Sequence, residues 1–353
     1  MKEKLIKWAK QLTLLVRIVE KARDFRKKIF CFPRSVILYL CRFYLKLFPY
    51  ERLQYYVGQL ELELAISVDQ RERLDVLQCK PICYLDVGAR HGAPQYLLNY
   101  REFFDFYLCE PESKEAQRLR EEGYFVIDRA LSSEEGKRTL YVTGKAGSSS
   151  LLKPSDKTRA FRQDWMIEVI HTESVQTTTL DTLSQEMELS FDLVKLDTQG
   201  TEMDILEGMK KQHPLMIVTE VSCLEFYQGQ KTFYDIANYL IPQGYLIWNF
   251  SIFPSVPINP SYKESVVRSS CGVPLHGDVM FMPDWTSSKG QSLILANDLK
   301  YAALMLIYGM EDILRFVLDE LSLPHEAVIR EALLRSTGRT RLVVKNKKPL
   351  VVT

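Results

Sequence analysis

Residues 84–92 read Tyr-Leu-Asp-Val-Gly-Ala-Arg-His-Gly, an apolar run that ends in an acid and continues into a glycine turn. In a doubly wound α/β sheet, ligands bind beyond the carboxyl ends of the strands, where a strand turns into its helix. Gly88 would let the backbone turn sharply and approach a ligand, and the following helix would present free N–H groups. The stretch predicts either such a ligand-binding turn or an ordinary strand–helix turn.

Downstream of residue 81, short apolar runs alternate with segments of helical periodicity. Because strands that alternate with helices form parallel sheets covered on both faces, residues 81–290 are predicted to be a mostly parallel, doubly wound α/β domain. Residues 251–270 are rich in proline and serine, which is typical of a loop or lid. The predicted strands are residues 82–85, 106–109, 125–127, 193–196, 216–221 and 246–250, with helices at 113–122, 202–211 and 233–240.

Helical extensions are predicted on both sides of this domain, at residues 1–80 and 291–353. The second includes helices at 299–321 and 325–334. Residues 1–50 hold 13 lysines and arginines against 3 acidic residues, a net charge of +10, whereas the whole chain carries +1. This basic arm fits contact with a membrane surface or a partner. Alternatively, its helices pack on the sheet domain or form a homodimer surface.

Composition narrows the class of protein. The 7 cysteines are scattered and form no Cys-x-x-Cys pair, which argues against a disulfide framework or a zinc site and fits a reducing compartment. No run reaches the roughly 18 apolar residues of a membrane span, and charged residues interrupt the N-terminal apolar segment, unlike a secretory signal. We therefore expect a cytoplasmic protein, at most peripheral at the inner membrane surface. The net charge of +1 gives no indication of nucleic acid binding.

Acids follow two further predicted strands. Glu110 lies 22 residues after Gly88, where an acid is placed to accept hydrogen bonds from the ribose hydroxyls of a nucleoside. It is also placed as an acid favoured at a helix N-terminus. Asp128 ends the next strand, either as an acceptor for an exocyclic amine or as a solvated strand end.

Residues 192–202 read Asp-Leu-Val-Lys-Leu-Asp-Thr-Gln-Gly-Thr-Glu. Lys195 interrupts an apolar strand, and an inward lysine is costly unless it is paired. Asp197 and Glu202 are its natural partners by sequence. These acids either form a structural ion pair with the lysine or belong to a site at the carboxyl edge of the sheet.

The order of these motifs resembles the FkbM family of S-adenosylmethionine-dependent methyltransferases over about residues 81–250. Two positions depart from the family pattern: Arg90 stands where asparagine is common, and residues 197–200 read DTQG where DVEG is frequent. The resemblance is carried by DVGA at 86–89, EP at 110–111, ALS at 130–132, serines at 148–150, VQTTTLDTL at 175–183, KLDTQGTE at 195–202, EG at 207–208 and EV at 220–221.

The resemblance implies a Rossmann-like class I methyltransferase sheet that binds S-adenosylmethionine and methylates a hydroxyl on a sugar, glycan or secondary metabolite. A hydroxyl is a poor nucleophile unless a base takes its proton. Asp197, Glu202, Glu220 and His276 are the candidate catalytic residues. A divalent ion held by the acids is an alternative that their spacing does not support, so no metal ligand is assigned. The implied cofactor-binding residues are Asp86, Gly88, Ala89, Gly92, Glu110, Asp128, Ala130 and Asp197.

Two other functions fit a fold of this kind. A nicotinamide-dependent oxidoreductase would require a second close-approach glycine in the turn, where the chain has Arg90. A non-catalytic module that scaffolds glycan synthesis is the other, and the presence of Asp86, Glu110 and Asp197 argues against decay of the cofactor site.

Overall fold

The computed structural model describes residues 71–157, 161, 164–255 and 273–335. They belong to the larger of two compact units into which the chain divides, Asp69–Thr353. The basic arm at residues 1–50 lies outside the described residues, so its predicted membrane, partner and dimer contacts stay predictions. Within the described ranges, no helix is long and apolar enough to span a membrane.

Strands and helices alternate along the described chain. The strands are β1 (Ile82–Val87), β2 (Phe104–Cys109), β3 (Phe125–Ile127), β4 (Ala130–Leu131), β5 (Gly136–Thr143), β6 (Val169–Thr178), β7 (Leu193–Leu196), β8 (Met216–Ser222), β9 (Tyr245–Ser255) and β10 (Val273–Pro283). The helices are α1 (Gln95–Leu98), α2 (Ser113–Glu121), α3 (Asp164–Ile167), α4 (Leu180–Met187), α5 (Glu202–Glu207), α6 (Phe233–Leu240), α7 (Ser288–Ala296), α8 (Asp298–Ile307), α9 (Glu311–Glu320) and α10 (Glu326–Leu334).

The main sheet has seven strands in the order β3-β2-β1-β7-β8-β10-β9. The first five of these run parallel, and β10 is antiparallel to both of its neighbours. After β1 the chain builds outward on one side and then returns to build on the other, so the strand order reverses between β1 and β7. Such a reversal opens a crevice at the carboxyl edge of the sheet, which is where ligands bind in open α/β folds.

Both faces of this sheet are buried, which explains the continuous apolar runs of its central strands. Along β1, Ile82 and Tyr84 pack into one core cluster, and Leu85 and Val87 pack into the other. The first cluster is shared with helices α7 to α10 and with the helical residues 71–77. The C-terminal helices therefore cover one face of the same sheet, while the domain boundaries predicted from the sequence stay a prediction.

A second sheet of three strands, in the order β4-β6-β5, was not predicted. Strand β6 reads VIHTESVQTT, and most of its residues are exposed or half-buried. It therefore lacks the apolar run by which the buried strands were recognised. This sheet precedes α4 and brings its own loop, residues 144–151, to the crevice.

Two expectations about the second half of the chain were wrong. Residues 251–255 were predicted to be loop, but they continue β9 and pair with β10, where Ser255 faces Val273. Residues 299–321 were predicted to be one helix, but the chain forms α8 and α9 instead. The break occurs at Gly309, whose φ of +69° lies in the left-handed region and does not continue a helix.

Candidate active site

An open cleft lies at the carboxyl edge of the sheet, over the ends of β1, β2 and β7, and encloses about 870 Å³ including space open to solvent. This size suits a nucleoside-containing ligand. Its lining comes from the turn after β1, the end of β2, strand β4, residues 146–151 and the turn after β7. Of the residues predicted from the sequence, Gly88, Glu110, Ala130, Asp197 and Glu220 line it.

The turn after β1 requires glycine at position 88. Gly88 has a φ of +83°, and a Cβ atom built on it would lie 2.0 Å from the backbone oxygen of Asp197. Its N–H and that of Ala89 donate to the carbonyl of Cys109, at 3.1 and 3.2 Å. The turn is thus pressed between the ends of β2 and β7. Ala89 and Gly92 do not line the cleft: Ala89 packs in a small core cluster, and Gly92 faces the ring of Tyr124.

Glu110 places a buried carboxylate in the cleft wall. Its side chain is 5% exposed, and Oε1 accepts the backbone N–H of Glu112 at 2.9 Å, just before α2 begins. Burial raises the pKa of Glu110 to about 7, although nearby Arg90 acts in the opposite direction. Arg90 also forms an ion pair with Glu112 and lines the cleft. The carboxylate bonds the backbone at the entry of α2 and also faces the cleft, so its role as a ribose acceptor stays a prediction.

Asp128 lies outside the cleft lining. Its side chain is exposed and forms an ion pair with Arg120 at 2.9 Å. This position matches the solvated strand end, one of the two alternatives for this residue. Ala130, two residues later, is buried and does line the cleft.

The half-buried Lys195 forms ion pairs with two carboxylates, one of which was not predicted from the sequence. Its ammonium contacts Asp86 at 3.1 Å and Asp197 at 3.5 Å, and the prediction of Glu202 as a partner was wrong. Burial opposes the charge on Lys195, but the two carboxylates outweigh it and raise its pKa. Asp86 also accepts from the Tyr84 hydroxyl at 2.8 Å and is 1% exposed, so it lies beneath the cleft.

Glu202 holds the turn after β7 together. Its carboxylate accepts the backbone N–H groups of Thr198 at 2.9 Å and Gly200 at 3.0 Å, and the Thr198 hydroxyl at 3.1 Å. The side chain is 3% exposed and lines neither the cleft nor the neighbouring cavity. Burial and the charge of Glu220 raise the pKa of Glu202 to about 7. This geometry is that of a structural brace, not of a group that reaches an acceptor.

Glu220 and His276 meet beside the cleft. His276 Nδ1 lies 3.2 Å from Glu220 Oε1, because β8 and β10 are adjacent antiparallel strands. Asp278, on β10, pairs in register with Glu220 and was not identified from the sequence. A small cavity that adjoins the cleft at Glu220 is lined by Ser148, Ile167, Gln199, Glu220, Ser222, Phe226, Tyr227, Gln230 and His276.

Two residues at this boundary were missed by the sequence analysis. Gln199 donates from Nε2 to Asp197 at 3.0 Å and also to Glu220. The Tyr227 hydroxyl contacts Gln199 Oε1 at 3.2 Å and the Ser148 carbonyl at 2.9 Å. Gln199 stands inside a quoted motif, so its departure from the family pattern was the available signal. Tyr227 lies in a loop with no signal of its own.

The strand order and the cleft are those of the class I methyltransferase fold, with a glycine turn after β1, a buried acid after β2 and a small cavity beside the ends of β7 and β8. Residues 86–247 match the family described as the methyltransferase FkbM domain. Over these residues the chain is similar to FkbM methyltransferases, and it is an S-adenosylmethionine-dependent methyltransferase.

A curated relative and several solved structures are similar to the chain. The 2-O-methyltransferase NoeI of Sinorhizobium fredii is 27% identical over 199 residues, which cover 51% of this chain and 79% of NoeI. Magnesium protoporphyrin IX methyltransferase (ChlM) from Synechocystis, solved with bound SAM, covers 65% of this chain and 81% of its own at 8% identity and a TM-score of 0.32. An rRNA methylase from Streptococcus thermophilus covers 60% and 93% at 9% identity and a TM-score of 0.28.

Proposed function

We propose that the protein transfers the methyl group of S-adenosylmethionine to a hydroxyl of a sugar or glycan. The observation that carries the proposal is the Glu220–His276 pair, 3.2 Å apart, which faces a small cavity beside the cofactor cleft. The name of NoeI, a 2-O-methyltransferase, agrees with transfer to oxygen.

The cleft fits the cofactor on its own geometry. Glu110 offers a buried carboxylate to a ribose diol, and the glycine turn brings backbone close to any ligand held there. Bound S-adenosylmethionine supplies a methyl group that its sulfonium already activates. The remaining task of the protein is to align the acceptor oxygen, exclude water and take up a proton.

His276 is the proposed base. The Glu220 carboxylate beside the imidazole orients the ring and offsets the positive charge that the ring gains when it takes up a proton. The other ring nitrogen would then accept the proton of the acceptor hydroxyl as the new bond forms. Asp197 lines the cleft beside this pair and is proposed to orient the reacting groups.

The cavity lining supports a polyhydroxylated acceptor. It combines hydroxyl and amide groups of Ser148, Ser222 and Gln230 with the aromatic rings of Phe226 and Tyr227. Sugars present many hydroxyls and apolar ring faces, so a mixed lining of this kind suits them.

The proposal is tested by comparing glycans and metabolites from cells with and without the gene, by mass spectrometry. A sugar that loses one methyl group in the deletion strain is the expected result. Complementation with wild type and His171→Asn is expected to restore the methyl group, and His276→Asn is not. His171 is a matched control because it is exposed and paired with Glu173 away from the cavity. Identical glycans in both strains, or rescue by His276→Asn, would contradict the proposal.

A further inference from the structure

The side chain of Gln199 lies between two carboxylates that belong to different parts of the site. Its amide nitrogen donates to Asp197, which lines the cofactor cleft, and to Glu220, which contacts His276. Its φ of +59° lies in the left-handed region, which non-glycine residues adopt infrequently. Such backbone persists where the surroundings over-determine it, and this is common at functional sites.

The orientation of this amide is fixed by its neighbours. The reverse orientation would place the carbonyl oxygen against both carboxylates and the NH₂ group against the hydroxyl of Tyr227. In the observed orientation, Tyr227 approaches Gln199 Oε1 at 3.2 Å and the Ser148 carbonyl at 2.9 Å. Tyr227 therefore ties the loop that lines the cleft to the amide that joins the two acids.

Several charged or titratable side chains lie close to the two acids that Gln199 joins. Lys195 lies 3.5 Å from Asp197, and the negative charge of Asp197 contributes to a raised pKa of Asp278, whose largest cause is burial. Glu220 faces His276 and also contributes to the raised pKa of Glu202. A neutral amide adds no charge to this setting and donates a hydrogen bond to each of the two acids. A carboxylate at position 199 would put three acids together, and one of them would hold a proton.

We infer that Gln199 is a positioning residue: its neutral amide holds Asp197 and Glu220 in register, and so couples the cofactor cleft to the side-chain pair of Glu220 and His276. The effect of Gln199 on cofactor binding can be tested without knowing the acceptor. Its effect on His276 as the base rests on the proposed function.

Calorimetry of cofactor binding tests the bridge without any acceptor. Wild type, Gln199→Glu and Gln228→Glu are titrated near pH 7 with S-adenosylmethionine and with S-adenosylhomocysteine, in buffers of different ionisation enthalpy. The dependence of the measured binding enthalpy on the ionisation enthalpy of the buffer gives the number of protons released when the ligand binds. Gln228 is a matched control, because it lies in the same region and is exposed. Its substitution adds the same charge where water screens it.

Gln199→Glu is expected to release up to about one proton more than wild type on binding the cationic cofactor, because the sulfonium favours the ionised acids. The excess proton release is expected to be smaller with S-adenosylhomocysteine, which lacks the sulfonium charge. Gln228→Glu is expected to match wild type with both ligands. Equal release by Gln199→Glu and wild type with both ligands would overturn the inference.

A second variant covers the case in which Gln199→Glu does not fold. Gln199→Met keeps the length of the side chain and removes both donors, so the two acids are expected to share a proton. Its excess proton release on cofactor binding is expected to be smaller than that of Gln199→Glu. With any accepted acceptor, the turnover of Gln199→Glu relative to wild type is expected to fall as pH rises, since the new carboxyl group donates only while it is protonated. A pH-independent ratio would contradict the coupling. An acceptor that is not a sugar would refute the proposed function and leave the calorimetric result standing.

Discussion

Substitution of Glu110 by glutamine is expected to weaken cofactor binding and to remove its pH dependence. Glu110 is 5% exposed and lines the cleft, and glutamine keeps its size while removing its charge. Hydrogen bonds to a charged group contribute about 1.5–3 kcal/mol. The expected loss is therefore roughly 10-fold to 150-fold in Kd.

The pH dependence follows from the raised pKa. Burial raises the pKa of Glu110 to about 7, so the free protein holds a mixture of protonated and ionised carboxyl at neutral pH. Ribose hydroxyls donate to the ionised form and favour it. Wild-type affinity is therefore expected to be constant well above pH 7 and to fall by up to about tenfold for each pH unit below it.

Calorimetry with S-adenosylhomocysteine between pH 5.5 and pH 8.5, roughly the range that brackets this titration, measures both effects. Glu121→Gln is the matched control, because Glu121 lies on α2 with an exposed side chain that bonds Gln117. It is expected to behave as wild type. A folded Glu110→Gln protein with unchanged affinity and an unchanged pH profile would show that Glu110 does not hold the ribose.

Three further substitutions have distinct expected outcomes. Gly88→Ala places a Cβ atom 2.0 Å from a backbone oxygen at a φ of +83°. Thermal unfolding is therefore expected to show a loss of folding free energy larger than the roughly 1–2 kcal/mol of left-handed strain alone. An unchanged Tm would contradict the close packing. Glu202→Ala leaves buried N–H groups of the turn unpaired and is expected to cost roughly 2–4 kcal/mol in urea unfolding; a loss below about 0.5 kcal/mol, the usual size for surface substitutions, would argue against the brace. Asp197→Asn is expected to lower kcat by at least about tenfold with little change in Tm; normal activity with a large fall in Tm would favour a purely structural ion pair with Lys195.

Much of the fold was accessible from the sequence because buried parallel strands leave an apolar signature. The runs around Tyr84 and Val194 are continuous, since both faces of their strands are covered. The glycine turn and Glu110 were also predictable, because their positions follow from their spacing along the chain relative to these apolar strands. Strand β6 escaped prediction because one of its faces is solvated and polar.

The site itself depends on pairings that sequence spacing does not reveal. Lys195 was assigned partners close to it in the chain, yet Asp86 faces it across the β1–β7 pairing, 109 residues away. Glu202 appeared to be an active-site acid, but it turns inward to satisfy the backbone of its own turn. Local spacing identifies which acids gather at the sheet edge, and only the strand register decides which face the ligand.

The most direct test of the account is methyl transfer by the purified full-length protein. With S-adenosylmethionine labelled in its methyl group and a panel of free, nucleotide-linked and lipid-linked sugars, the account predicts label in an O-methyl ether of one sugar. It also predicts that His276→Asn lowers the rate by about 100-fold or more. Label on nitrogen or carbon, transfer undiminished in His276→Asn, or cofactor binding with no transfer to any sugar would contradict it.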